Sequence, residues 1–234
     1  MGSVLQSLSL AVCLGASLLN ATEPLTLEPG PAPKFLEPVT RYRSWPEDPY
    51  QVLLKKSLVV TPGTYGHMLV VPSFRPEYAI SVYGDDFKEG DVRQPQRFQI
   101  TLTRAKTSLY DSLPRNNEAK KQLPVEIQRV DVRISREFAV AIQQAWAAML
   151  LKTRYPGFVY RGLDGRNIYF SVFVGGLGEV EGMIWSPESG LTSEMATLGE
   201  YLVGYCELSP DKRPDAKVLL MAQLEKFTAN VQKQ

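Results

Sequence analysis

From Val125 onwards, apolar and polar positions fall into a strand, a helix and further strands. Val125 and Ile127, then Val130, Val132 and Ile134, alternate with Glu126, Gln128, Asp131 and Arg133, the period-two pattern of a strand with one buried face. The phase slips by one residue at Gln128 to Arg129. Within one continuous strand that slip would turn the second half inside out, which predicts a bulge there or two short strands. Ser135 then offers an N-cap oxygen, and Glu137 places negative charge in the first turn of a helix. Phe138, Ile142, Ala145, Trp146, Met149 and Leu150 share one face of it, with Arg136, Gln143 and Gln144 opposite. Pro156 and Gly157 end the run.

Phe158 to Arg161 and Ile168 to Val174 read as strands of a hairpin turning near Asp164 and Gly165. Gly175, Gly176 and Gly178 make a second reversal into Val180 to Trp185. The expected result is a three-stranded meander packed on the Phe138 helix. Upstream, the pattern is β-rich from Val52, with strands over Leu58 to Thr61, Met68 to Val71, Tyr78 to Tyr83 and Phe98 to Thr103, and a polar loop over Arg115 to Gln122. Downstream, Leu191, Met195, Leu198, Leu202 and Tyr205 recur at helical spacing. A last helix, about Asp215 to Val231, should bury Leu220, Met221, Leu224, Phe227 and Val231.

The N-terminal third follows other rules. Residues 1–21 carry no charged side chain and hold an apolar run from Leu8 to Leu19, the length of an export-signal core. Removal of this segment on export is the expectation, and its retention as a short membrane anchor is the alternative; any membrane association would come through it alone. Residues 22–50 are rich in proline and read as an extended tether, of which Phe35, Tyr42, Trp45 and Tyr50 suggest that part packs down. Residues 51–234 form the expected single domain.

Composition narrows the chemistry. A net charge of +1 gives no global field for a polyanion, and two cysteines, Cys13 and Cys206, exclude a disulfide framework and a cysteine-rich zinc site. Ten basic residues against four acidic between Arg93 and Arg136, and seven acidic against one basic between Asp164 and Glu207, polarise the chain. Aromatics suited to base stacking are sparse among the basic residues, which speaks against nucleic acid as a partner.

His67 is the single histidine, so any histidine-based catalysis must be built on it, and a multi-histidine metal site is excluded. Cys206 falls near the C-terminal end of an amphipathic helix, where the dipole disfavours a thiolate. The densest acidic group, Asp85, Asp86, Glu89 and Asp91, lies in a loop without calcium-loop spacing and with Lys88 among the acids, which reads as a solvated turn. The glycines at 175, 176 and 178 join strands instead of leading into a helix, so they do not form a phosphate cradle. No cofactor-binding motif and no metal-ligand set is found.

The expected architecture is α+β, an antiparallel sheet packed on one side against two to three amphipathic helices, with an N-terminal signal segment and a proline-rich tether. Three functional expectations stand side by side. The first is an exported or cell-envelope, non-enzymatic module that binds a protein or an envelope component through the exposed side of the sheet. The second is a hydrolase-like enzyme using His67 or the carboxylates from Asp85 to Asp91. The third is an assembly component that associates with itself.

Overall fold

The computed structural model describes residues 34–39, 48–60, 64–84, 97–113, 124–155 and 164–234, which belong to one compact unit, Pro31–Gln234. The strands are β1 (Thr64–Pro72), β2 (Tyr78–Gly84), β3 (Phe98–Ala105), β4 (Ile127–Ile134), β5 (Arg166–Val174) and β6 (Gly178–Trp185). The helices are α1 (Pro49–Leu58), α2 (Arg136–Leu150), α3 (Gly190–Glu207) and α4 (Arg213–Gln232). All strand pairs are antiparallel, in one six-stranded sheet of order β4-β3-β2-β1-β5-β6. The class is α+β, as the periodicity predicts.

The sheet is covered on both faces. On one, Met68, Val70, Ile80, Val82, Ile100, Leu102, Ile168, Phe170 and Val172 pack against α2, α3 and α4 around the fully buried Trp146 and Phe138. On the other, Leu53, Leu54 and Leu58 of α1 close a smaller core with Leu69, Ala79, Ala105 and Leu109. This corrects two expectations. Helix α1 occupies residues assigned to the tether and to β-structure, and Leu58 ends that helix instead of opening a strand. The cause is local: Asp48 accepts a hydrogen bond from the Tyr50 amide at 3.0 Å and Pro49 takes the first turn, a start signal hidden within a proline-rich run. The expected open side of the sheet is therefore closed over much of its area, and the inner strands β1, β2 and β3 are buried on both faces.

The second core also explains the slipped phase in β4. Ile127 to Ile134 is one continuous strand, paired with Ala105 to Phe98 without a register shift. Val125 and Ile127 pack toward the α1 core, whereas Val130 and Ile134 pack toward the main one. Each half of the pattern is buried against a different layer, so no bulge is required. A register shift occurs instead in β1, between Thr64 and Gly66.

Helix α2 starts as expected, with Ser135 Oγ accepting from the Phe138 amide, and buries the predicted face. The β5–β6 hairpin forms at the predicted glycines, with φ of 82° at Gly176 and 84° at Gly178. The other predicted hairpin draws one strand from Phe158 to Arg161, which lies outside the described residues; the two edges of β5 are occupied by β1 and by β6. Helices α3 and α4 bury the expected stripes, except that Met221 is only half-buried.

Part of the tether does pack down. Leu36 is fully buried in the main core, and Glu37 exchanges two backbone hydrogen bonds with Met183 of β6, at 2.8 and 2.7 Å. The Arg154 guanidinium lies 4.3 Å from the Phe35 ring centre. Residues 1–21, expected to be an export signal, and the rest of the expected tether up to Glu47 lie outside the described residues, as do the polar loop and the acidic group from Asp85 to Asp91. Among the described residues no helix is long and apolar enough to cross a membrane.

Candidate functional site

The strand registers align one polar side chain from every strand into a row across the α1 side of the sheet. Asp131 of β4 faces Thr101 of β3, Thr101 faces Ser81 of β2, and Ser81 faces His67 of β1. His67 in turn faces Ser171 of β5, and Ser171 faces Glu181 of β6. Directly opposed residues in an antiparallel pair share a face. The row lies at the margin of α1, which contributes Lys55.

Most of the row is tied into internal bonds. Thr101 Oγ1 donates to Asp131 Oδ1, and the Val60 amide donates to Ser81 Oγ at 3.3 Å. Ser171 Oγ donates to Glu179 Oε1 at 2.5 Å, while Lys55 Nζ pairs with Glu181 Oε1 at 2.8 Å. His67, only 6% exposed, sits between these groups. Burial lowers its pKa to about 4; the Lys55 charge pushes the same way, and the carboxylates of Glu179 and Glu181 pull partly back. The ring is therefore neutral at neutral pH. So weak a base abstracts protons poorly there, and the Ser171 hydroxyl is directed at a carboxylate instead of the imidazole, unlike a serine–histidine–carboxylate relay.

Of the other residues weighed from the sequence, the described ones do not gather around His67. Asp85 and Asp86 lie outside the described residues. Asp164 is exposed and precedes the start of β5, which at strand rise is on the order of 20 Å along the chain from the level of Ser171. Cys206 is 1% exposed on α3, and burial pushes its thiol up to about 12, with Arg213 partly opposing. Among the described residues no group of three or more His, Cys, Asp or Glu could hold a metal ion.

No family model, curated protein or solved structure matches this chain.

Residues that sequence reasoning passed over carry much of this geometry. Ser171, Glu179 and Glu181 alternate out of the main core on β5 and β6, a signal present in the sequence but meaningful only once β1 is known to neighbour β5. Glu77 is a second case. It is 1% exposed and accepts from Tyr50 Oη at 2.5 Å, Ser108 Oγ at 3.0 Å and the Leu109 amide at 2.8 Å. These bonds pin the start of α1 and the short 3-10 turn Leu109–Ser112 to the sheet. Every acceptor direction shown is spent on architecture.

On the opposite side of the molecule, α3 and α4 leave a shallow groove of about 360 Å³ between Ser193, Thr197 and Tyr201 on one helix and Gln223, Lys226 and Asn230 on the other. At the β5–β6 reversal, Phe173 and Leu177 stand 55% and 66% exposed. These surfaces can make contacts but contain no reactive set.

Proposed function

We propose that the chain is a non-enzymatic, exported or cell-envelope protein that binds another protein or an envelope component. The observation that carries this reading is the state of the lone histidine: buried, neutral and lodged among side chains bonded to one another. Reactive groups are here used to specify a sheet. Because the inner strands are covered, the contact surface is assigned to the β5–β6 tip, where Phe173 and Leu177 flank a glycine reversal. Export rests on the uncharged apolar run in residues 1–21.

A Phe173→Ser, Leu177→Ser double variant tests the binding reading. It should keep its thermal unfolding midpoint and lose retention of the envelope component captured by the unaltered chain; unchanged capture would overturn the assignment.

The hydrolase reading has one observation in its favour, the opposition of His67 and Ser171 with Glu179 at 2.5 Å from the serine oxygen. Assay of chromogenic esters, amides, phosphoesters and glycosides decides between the two. Turnover abolished by both Ser171→Ala and His67→Gln would replace the binder with an enzyme.

A further inference from the structure

Among the described residues strand β4 ends the sheet, and its outer edge carries no neighbouring strand. The Lys106 amide bonds the Glu126 carbonyl at 3.0 Å, just outside the strand pair. Alternation from that rung turns the backbone groups of Gln128, Val130, Val132 and Ile134 toward β3. The N–H and C=O groups of Ile127, Arg129, Asp131 and Arg133 consequently face away from the sheet. Among the described residues no backbone hydrogen bond reaches them. An eight-residue edge strand with unpaired groups is a template for another strand.

The side chains choose which strand. Arg129 and Asp131 project on the α1 side, with Arg129 Nε 2.9 Å from Asp131 Oδ1. Both are held in place, Asp131 by the Thr101 hydroxyl and Arg129 by Tyr83 Oη at 3.0 Å. We propose that two copies of this chain pair antiparallel along β4, about a twofold axis through Val130. In that register each Arg129 lies opposite Asp131 of the second copy, so opposite charges meet twice. Half-buried Val130 meets its own copy on the helix side. Centring the axis on Arg129 or on Asp131 instead sets like charges against each other. Centring it on Val132 restores an Asp131–Arg133 pairing but leaves three of the strand's eight residues, Ile127 to Arg129, without a partner in the second β4. The sequence IQRVDVRI is thus charge-complementary to itself in the register that pairs seven of its eight residues, Ile127 to Arg133.

A strand-pair interface is small, so the dimer should dissociate on dilution. The inference does not depend on the binding reading, which concerns a different strand and surface. Its test is sedimentation velocity of the full chain across a concentration series. The unaltered protein should shift from monomer to dimer. Arg129→Asp and Asp131→Arg should each weaken the dimer at least about tenfold by opposing like charges, and the double swap should restore it. Arg129→Pro removes an outward donor without touching the β3 ladder and should abolish the dimer. Amide exchange covers the case of a variant that fails to fold: in the unaltered chain, Arg129 and Asp131 amides should gain protection as concentration rises. A monomer at every concentration, a dimer indifferent to the single changes, or loss without recovery in the double swap would each overturn the proposal.

Discussion

A buried histidine that stays neutral makes folding sensitive to mild acid. The unfolded His67 ring takes up a proton near pH 6.5, whereas the folded ring, desolvated by burial, does so only near pH 4. Between these values the unfolded state binds the extra proton, so stability is fully present above about pH 6.5 and falls as pH drops through that window. At about 1.4 kcal/mol per pKa unit, the loss approaches about 3 kcal/mol. Lys55 on α1 and Glu179 and Glu181 on β6 are the charged neighbours, and the two carboxylates moderate the effect. Urea unfolding at a series of pH values should show the midpoint declining between pH 6.5 and 4.5, with a much shallower slope in His67→Gln. Equal slopes would mean that the ring is solvated. The same residue shows where sequence reasoning reaches and where it stops. That His67 begins an apolar strand is legible from the residues after it; that its row mates are Ser81 and Ser171 depends on two strand pairings far apart in the chain.

At the scale of elements, close approach and buried hydrogen bonds do what propensity alone does not. Gly66 lies where β1, β5 and α2 meet: a Cβ there would stand 2.9 Å from the Ser171 carbonyl oxygen and 2.9 Å from the Trp146 ring. Neither backbone nor a fully buried indole can give way cheaply, so Gly66→Ala should cost about 2 kcal/mol or more, read as a lower denaturation midpoint with an unchanged slope. Helix α1 presents the opposite problem. At ten residues it is too short to be stable alone, and its start is fixed by the Tyr50 hydroxyl donating to Glu77. Glu77→Ala would strand the Tyr50, Ser108 and Leu109 donors in a dry site. It should cost about 3 kcal/mol and raise amide exchange across α1 before the rest of the sheet. Leu53, Leu54 and Leu58 fit a helix as well as a β-rich run, and the Asp48–Pro49 start was obscured by the prolines before it. By contrast, α2, α3 and α4 were legible because each carries a long apolar stripe facing one core. The split phase in β4 was visible too, yet without α1 there was no second layer to explain it.

For the whole molecule, the two ends of the sheet are finished differently, and that difference governs how copies can assemble. The β6 edge is clasped at Met183 by Glu37, and the clasp is anchored by Leu36, wholly inside the main core and with its carbonyl taken by the Arg154 amide at 3.0 Å. No such segment crosses β4 among the described residues. With one available edge, antiparallel twofold pairing consumes it and stops at two copies; with two, sheets could add end to end without closing. Leu36→Ala separates these cases. Removing the buried side chain should cost about 3 kcal/mol and loosen the clasp, so the Met183 amide should change from slow to fast exchange. If the clasp is what limits assembly, the variant should form species larger than a dimer as its concentration rises, and adding Arg129→Pro should return it to no more than a dimer by closing the β4 side. Larger species that persist in that double variant would place the assembling surface elsewhere than the sheet edges.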